Sequence, residues 1–333
     1  MADVSRTKAE YGGFLPLELN PGEEYFSQYE PYLKRFNSVK AGLDYLIRRI
    51  GKSHIYIPYY YCPSTTEAIK RTGIEVIFYH INENFEPEHI KDESDSIVLL
   101  VDYFGVCAEV VNSFAGRIKK ADVIIDRAHS FFEEPIKGEN IHNLYSAKKF
   151  FGVSDGAYVV SRLIIPDIEV LSDSYEYANY LLLTYEQGTN AAYKEKKDAD
   201  NRIASNYAAM SKLAKGLLEN VDYKRVIRER KSNYKVLRDA FVGSNSLSLP
   251  AEALPYQFPL LIKHKGRIIK KRLIESKIFV STLWSGEELR NKGNDFEISM
   301  MHDCIFLPID QRYDSKDMNY MVATVREMLH ENT

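Results

Sequence analysis

Two short segments carry side chains whose types and spacing do chemistry. Residues 123–130, VIIDRAHS, set a carboxylate and an imidazole three positions apart, Asp126 and His129. Residues 141–161, IHNLYSAKKFFGVSDGAYVVS, set a hydroxyl and an amine three apart, Ser146 and Lys149. VIID, IHNLYS and AYVVS are short, rich in β-branched and aromatic residues, and bounded by polar or Gly-containing turns, which predicts strands. Asp126 and Ser146 then stand where strands end, the edge at which open α/β sheets bind ligands.

A lysine amine condenses with an aldehyde and can afterwards shuttle a proton. Pyridoxal 5'-phosphate (PLP) supplies such an aldehyde, and its ring nitrogen is kept protonated by an ion-paired carboxylate. The four residues therefore read as a PLP site. Lys149 is the expected Schiff-base lysine and Asp126 the partner of the ring nitrogen. His129 is the expected partner of the ring oxygen, since a neutral imidazole both donates and accepts. Ser146 offers its hydroxyl to the phosphate. Taken singly each has a plainer reading: Asp126 as a turn or cap residue, Ser-x-x-Lys as a chance spacing, Lys148 and Lys149 as a solvated basic turn. The order of the two pairs, each closing a strand and followed by the turn at Ser154, Asp155 and Gly156, favours the site.

The flanking elements must position these groups. Leu43, Leu46, Ile47 and Ile50 recur at helical spacing between a capping Ser38 and a terminating Gly51. Ser38, Val39 and Lys40 then form a helix N-terminus, where free N–H groups favour a phosphate. Residues 54–73 read as strand, turn and short helix, and 74–81 as another strand. The near-continuous apolar run SIVLLVDYFG reads as a strand covered on both faces, with a helix at 110–119 and a strand at 121–126. Alternating strands and helices predict an α/β fold with a mainly parallel central sheet flanked by helices. Residues 169–218 are polar, tyrosine-rich and helical in character, and 225–241 read as a linking helix whose basic residues form a solvated face. Beyond it YQFPLLIK, a helix at 267–275, KIFVSTLW, DCIFLPID and a helix at 316–329 alternate as in a smaller α+β domain. The expected division is a large domain over residues 1–230, with an N-terminal arm to about residue 30, and a small one over 231–333. Gly12 and Gly13 in the arm read as an ordinary turn.

DRAHS followed by YSAKKFFGVSDGAYVVS resembles the core of the DegT/DnrJ/EryC1/StrS group, the sugar-nucleotide aminotransferases of PLP fold type I, with similarity from about Arg35 to Met328. The resemblance implies a PLP-dependent aminotransferase that moves an amino group from an amino acid such as glutamate to a nucleotide-linked keto sugar, by ping-pong chemistry through Lys149. It implies a homodimer and a role in polysaccharide or glycosylated-metabolite synthesis. It also implies Asp126 against the pyridine nitrogen and His129 against the ring hydroxyl. The chain departs from the pattern in three places. Ser-Val-Lys-Ala-Gly-Leu at 38–43 stands for Ser-Gly-Thr-Ala-Ala-Leu. Cys62 falls where the family places its ring-stacking side chain, with Tyr60 or Tyr61 as substitutes. Asp200-Asn201-Arg202 approximates an Asn-x-Arg loop that reaches across the dimer to the phosphate. Trp284 and LPIDQRY resemble substrate-side features.

Composition supplies boundaries. The 333 residues are 45% hydrophobic and 27% charged, the make-up of a globular protein of about two domains. A formal net charge of -3 leaves no electrostatic footprint for nucleic acid or anionic membrane. Cys62, Cys107 and Cys304 lack metal-ligand spacing and suit a reducing compartment, and no signal peptide or membrane span is legible. The expected location is the cytoplasm. Gly152-Val153-Ser154-Asp155-Gly156 matches the G-x-S-x-G nucleophile elbow, but a β run follows where that elbow needs a helix. The rival from another class is a non-catalytic sugar-nucleotide or protein-binding module on the same scaffold.

Overall fold

The computed structural model describes residues 11–163 and 172–330. Residues 1–10 of the expected arm, 164–171 at the head of the expected helical stretch, and 331–333 lie outside them. In chain order the elements are β1 (Leu33–Phe36), α1 (Val39–Ile50), β2 (His54–Pro58), α2 (Pro63–Lys70), β3 (Glu75–Tyr79), β4 (Ser96–Val101), α3 (Ala108–Arg117), β5 (Asp122–Arg127), β6 (Ile141–Ser146) and β7 (Ala157–Val160). There follow α4 (Asn179–Gln187), α5 (Tyr193–Ser205), α6 (Lys212–Glu219), α7 (Tyr223–Phe241), β8 (Gln257–Leu261), α8 (Gly266–Glu275), α9 (Glu287–Lys292), α10 (Asp295–Asp303), β9 (Cys304–Pro308) and α11 (Ser315–His330).

Seven strands form one sheet in the order β1-β7-β6-β5-β4-β2-β3. Strands β2 to β6 pair in parallel, and β7 runs antiparallel to both β6 and β1. Every residue of β4 is buried, as a strand covered on both faces requires. Helix α1 explains one departure from the family pattern. Its Gly42 backs onto the sheet so closely that a Cβ there would come 2.9 Å from Leu144 Cδ1 and 3.0 Å from Val159 Cγ2. The helix buries Leu43, Leu46 and Ile47 beside that glycine, each worth about 1.5–3 kcal/mol when fully buried.

The second core lies on the antiparallel pair β8–β9, where α7, α8 and α11 pack with Tyr234, Leu237, Phe241, Ile269, Met318 and Val325. Two sequence expectations fail here. KIFVSTLW is not a strand: only Ser281 bridges to Phe306, and Lys277 and Trp284 take positive φ of 61° and 57°, which interrupts an extended run. The basic residues of α7 do not all face solvent, because Arg230 is 1% exposed. The closing helix does bury Met318, Met321, Val322 and Val325 at core spacing, with Met328 buried and Leu329 only partly so. In the arm, Gly12 and Gly13 have φ of +86° and +93°, and among the described residues a Cβ at either would meet nothing within 4 Å, so no close approach requires them.

Candidate active site

Strands β4, β5 and β6 are parallel, so their C-terminal ends share one edge, with Val101 opposite Asp126 and Asp126 opposite Leu144. Asp126 is the penultimate residue of β5 and Ser146 the last of β6. The Asp126 carboxylate is buried; it accepts from the Tyr61 hydroxyl at 2.6 Å and from the Ala128 amide at 2.8 Å. Burial pushes this carboxyl above the usual carboxylate range, opposed by those two donors and by the Lys149 ammonium. Tyr61 is thus tied to the carboxylate through its hydroxyl. Its place at the β2–α2 corner, next to the helix-capping Cys62, brings it there.

His129 lies just beyond β5, enclosed by rings. Trp284 stacks on it with centroids 5.5 Å apart and planes at 18°, and Tyr256 approaches at 5.2 Å. Burial, aided by the Lys149 charge, pushes the imidazole well below its ordinary pKa. It is neutral near pH 7, the form that both donates and accepts. Gly105 secures the fit: at φ +80°, its Cβ would meet the His129 carbonyl oxygen at 2.5 Å and Pro255 Cα at 2.9 Å.

Adjacent lysines have unlike surroundings. Lys148 makes an ion pair with Asp200 of α5. Burial lowers its pKa while Asp200 opposes the shift. Lys149 points the other way: its Nζ lies 5.0 Å from the centroid of the Tyr256 ring, and its charge acts on both Asp126 and His129. No carboxylate is within ion-pair distance of it among the described residues.

The anion-binding expectation centres on Ser38, which caps α1 by accepting from the Ala41 amide at 3.2 Å. Phe36 pairs with Ala157, and Ala157 with Ser146, so one strand separates the Ser38 corner from the end of β6. The amide of Gly156 donates to the Asn37 carbonyl at 3.0 Å, while Ala147 N–H donates to the Gly156 carbonyl at 3.0 Å, tying the two corners together. Val39 is the first residue of α1. Lys40 is half-buried; burial lowers its pKa, and Cys62 and Asp200 lie close enough to oppose that. Cys62 itself is partly exposed, with Sγ 3.4 Å from Ser64 Oγ.

Other expected residues stand differently. Asn201 and Arg202 are on α5, not in a loop, and both are exposed; Asp200 is the member of that triplet that reaches the site. Trp284, which the sequence offered as a substrate-side feature or as a packing residue, stacks on His129 and Phe104. Tyr60 anchors the Trp284 segment by donating to the Leu283 carbonyl at 3.1 Å, and Gly286 meets Pro63. Ser154 precedes β7, and its buried hydroxyl has no hydrogen-bond partner among the described residues, so the elbow geometry is absent. Sequence reading missed Tyr256, Phe104 and Arg230. Tyr256 heads what reads only as a strand, and the positive φ of Phe104, 59°, has no local signature.

The sequence matches no protein-family model and no curated protein. Solved structures do match. Spr1654 of Streptococcus pneumoniae, named as a sugar aminotransferase and solved in its PLP form, superimposes with TM-score 0.64 at 16% identity over 92% of this chain and 89% of that one. A DegT DnrJ EryC1 StrS aminotransferase from Brucella abortus gives 0.61 at 16% identity over 89% and 85%. PseC of Helicobacter pylori, an aminotransferase involved in the biosynthesis of pseudoaminic acid, gives 0.60 at 15% over 90% and 87%. The chain thus has the α/β fold of the DegT/DnrJ/EryC1/StrS-type sugar aminotransferases over about nine-tenths of its length.

Proposed function

We propose that this protein is a PLP-dependent aminotransferase of that group, taking an amino group from an amino acid, glutamate by the family likeness, and delivering it to a nucleotide-linked keto sugar. The convergence of Lys149, Asp126 and His129 on one sheet edge, with Lys148 held away by Asp200, carries the reading.

The residues fit a phosphorylated pyridine. Asp126 is buried and fixed by two donors, and a carboxylate can accept a further hydrogen bond from a ring N–H. His129 is neutral and can face a ring oxygen. Ser38, Val39 and Lys40 offer N–H groups and a cation to a phosphate, with Ser146 at the neighbouring strand end. Tyr61 or Cys62 supplies the side wall. When bound, PLP supplies an electron sink and an aldehyde that a lysine amine can hold covalently. Lys149 contributes that amine and, when freed, holds and moves the proton at Nζ. The aromatic wall of Tyr60, Tyr103, Phe104 and Trp284 excludes water from the His129 side.

A cytoplasmic homodimer with large and small domains is part of the same proposal. Exposed Tyr11, Phe14, Leu15 and Leu17 on the arm, and Leu182, Tyr185 and Tyr193 on α4 and α5, support a subunit contact. Among the described residues no helix is long and apolar enough to cross a membrane.

The test is addition of PLP to the purified protein, followed by borohydride and peptide mapping. A reduced adduct on Lys149, together with amino transfer from glutamate to keto sugar nucleotides, is the expected result. An adduct on Lys148 would overturn the lysine assignment. No adduct at saturating PLP would favour the binding-module reading, which the altered residues at Val39, Lys40 and Cys62 recommend.

A further inference from the structure

Arg230 sits on α7, four residues before Tyr234 of the second core, with its side chain almost wholly enclosed. A buried cation without a counterion is costly, and among the described residues no carboxylate lies within ion-pair distance. The nearest acidic influence, Asp310, gives its carboxylate to Arg312 at 2.7 Å. Burial accordingly pulls the guanidinium down to about 10. Neutral acceptors and a ring satisfy it instead. Nε donates to Gln311 Oε1 at 3.0 Å; Nη1 donates to the carbonyls of Pro255 at 3.1 Å and Tyr256 at 3.3 Å. The guanidinium carbon stands 4.6 Å from the Phe150 ring centroid.

Each partner leads to the site. Gln311 Nε2 donates to the Phe150 carbonyl at 2.8 Å, and Phe150 directly follows Lys149. Tyr256 carries the ring that faces Lys149 Nζ, and its amide donates to the His129 carbonyl at 3.0 Å. One guanidinium on α7 thus holds Phe150, the chain neighbour of Lys149, and the Pro255–Tyr256 backbone, whose Tyr256 amide in turn holds the His129 carbonyl.

We propose that Arg230 is a positioning residue: through Phe150, Gln311 and Tyr256 it fixes the direction in which Lys149 presents its amine to Asp126 and His129. The inference rests on the reading of Lys149 as the reactive lysine. The planar fork matters as well as the charge, because a lysine ammonium cannot make the same set of directed bonds while lying on a ring.

The experiment compares wild type with Arg230→Met, Arg230→Lys and Gln311→Leu, each shown folded by circular dichroism. Two readouts are taken: the rate of borohydride-trapped PLP adduct formation on Lys149, and the pH profile of Lys149 acetylation by a brief acetic anhydride pulse on protein free of cofactor. A small displacement of a reacting group can cost about a hundredfold, so Arg230→Met is expected to slow adduct formation at least tenfold, with little recovery in Arg230→Lys. The Lys149 acetylation profile shifts while that of Lys148, held by Asp200, does not. General loosening would move both profiles, and that result overturns the proposal, as do wild-type rates and profiles in folded Arg230→Met. If Arg230→Met fails to fold, Gln311→Leu, which removes the link from Arg230 Nε through Gln311 to the Phe150 carbonyl, decides on the same criteria. Absence of a wild-type adduct would sink the proposed function, while the acetylation contrast would still judge Arg230.

Discussion

The two ends of the proposed site are built on different physical terms. At the ring end, Asp126 and His129 are buried, the carboxylate held by two donors and the imidazole packed against the partly buried rings of Trp284 and Tyr256. At the anion end, Ser38, Lys40, Cys62, Lys148 and Asp200 are polar and mostly half-exposed, and act through a helix terminus and charges at a distance. The difference teaches where substitution is tolerable. A buried directed bond has no substitute, because its loss leaves an unpaired group in low dielectric. An electrostatic cradle is a sum of several small terms, so the proposed anion site tolerates Val39 and Lys40 where the family likeness has a glycine and a hydroxyl.

Asp126→Asn is the substitution with the largest expected effect. It keeps the shape and removes the charge that would hold a ring proton, and turnover should fall by about a hundredfold or more, in keeping with the loss of a charged hydrogen bond of about 1.5–3 kcal/mol together with its electronic role. Activity within a few fold of wild type would deny the ring end its special status. Lys40→Gln should act on affinity instead. One partly exposed charge contributes about 1 kcal/mol, so PLP affinity measured by absorbance titration should weaken about fivefold, with a flatter salt dependence and little change in saturated turnover. An effect on turnover matching that of Asp126→Asn would break the comparison.

The smallest effect concerns stability against pH. The folded pKa of His129 is depressed well below its unfolded value of about 6.5. Its contribution is therefore fully present above pH of about 6.5 and is lost as pH falls below that towards the folded pKa, because the unfolded chain then binds the extra proton. His129→Asn should make the acid limb of a urea-unfolding series shallower by up to one proton, or about 1.4 kcal/mol per pH unit. An unchanged slope would show that the imidazole is not held neutral.

Much of the frame was legible because it is local. The cap and stop of α1 at Ser38 and Gly51, the strand ends at Asp126 and Ser146, and the parallel pattern of the sheet follow from spacing and turn chemistry that operate over a few residues. The failures share a cause. KIFVSTLW has strand-like composition, yet its Leu283 carbonyl is drawn across to the Tyr60 hydroxyl, 223 residues away in the chain. Arg230 looks like part of a solvated basic face, since nothing in its neighbours announces the carbonyls of Pro255 and Tyr256.

By itself, the sequence determined which residues are chemically capable and which strand ends present them, since both are set by side-chain type and short-range periodicity. Only the tertiary structure set the unlike surroundings of Lys148 and Lys149. Neighbours in a chain are alike in propensity, and only the placement of Asp200 and Tyr256 from distant elements separates an ion-paired amine from one turned towards Asp126 and His129.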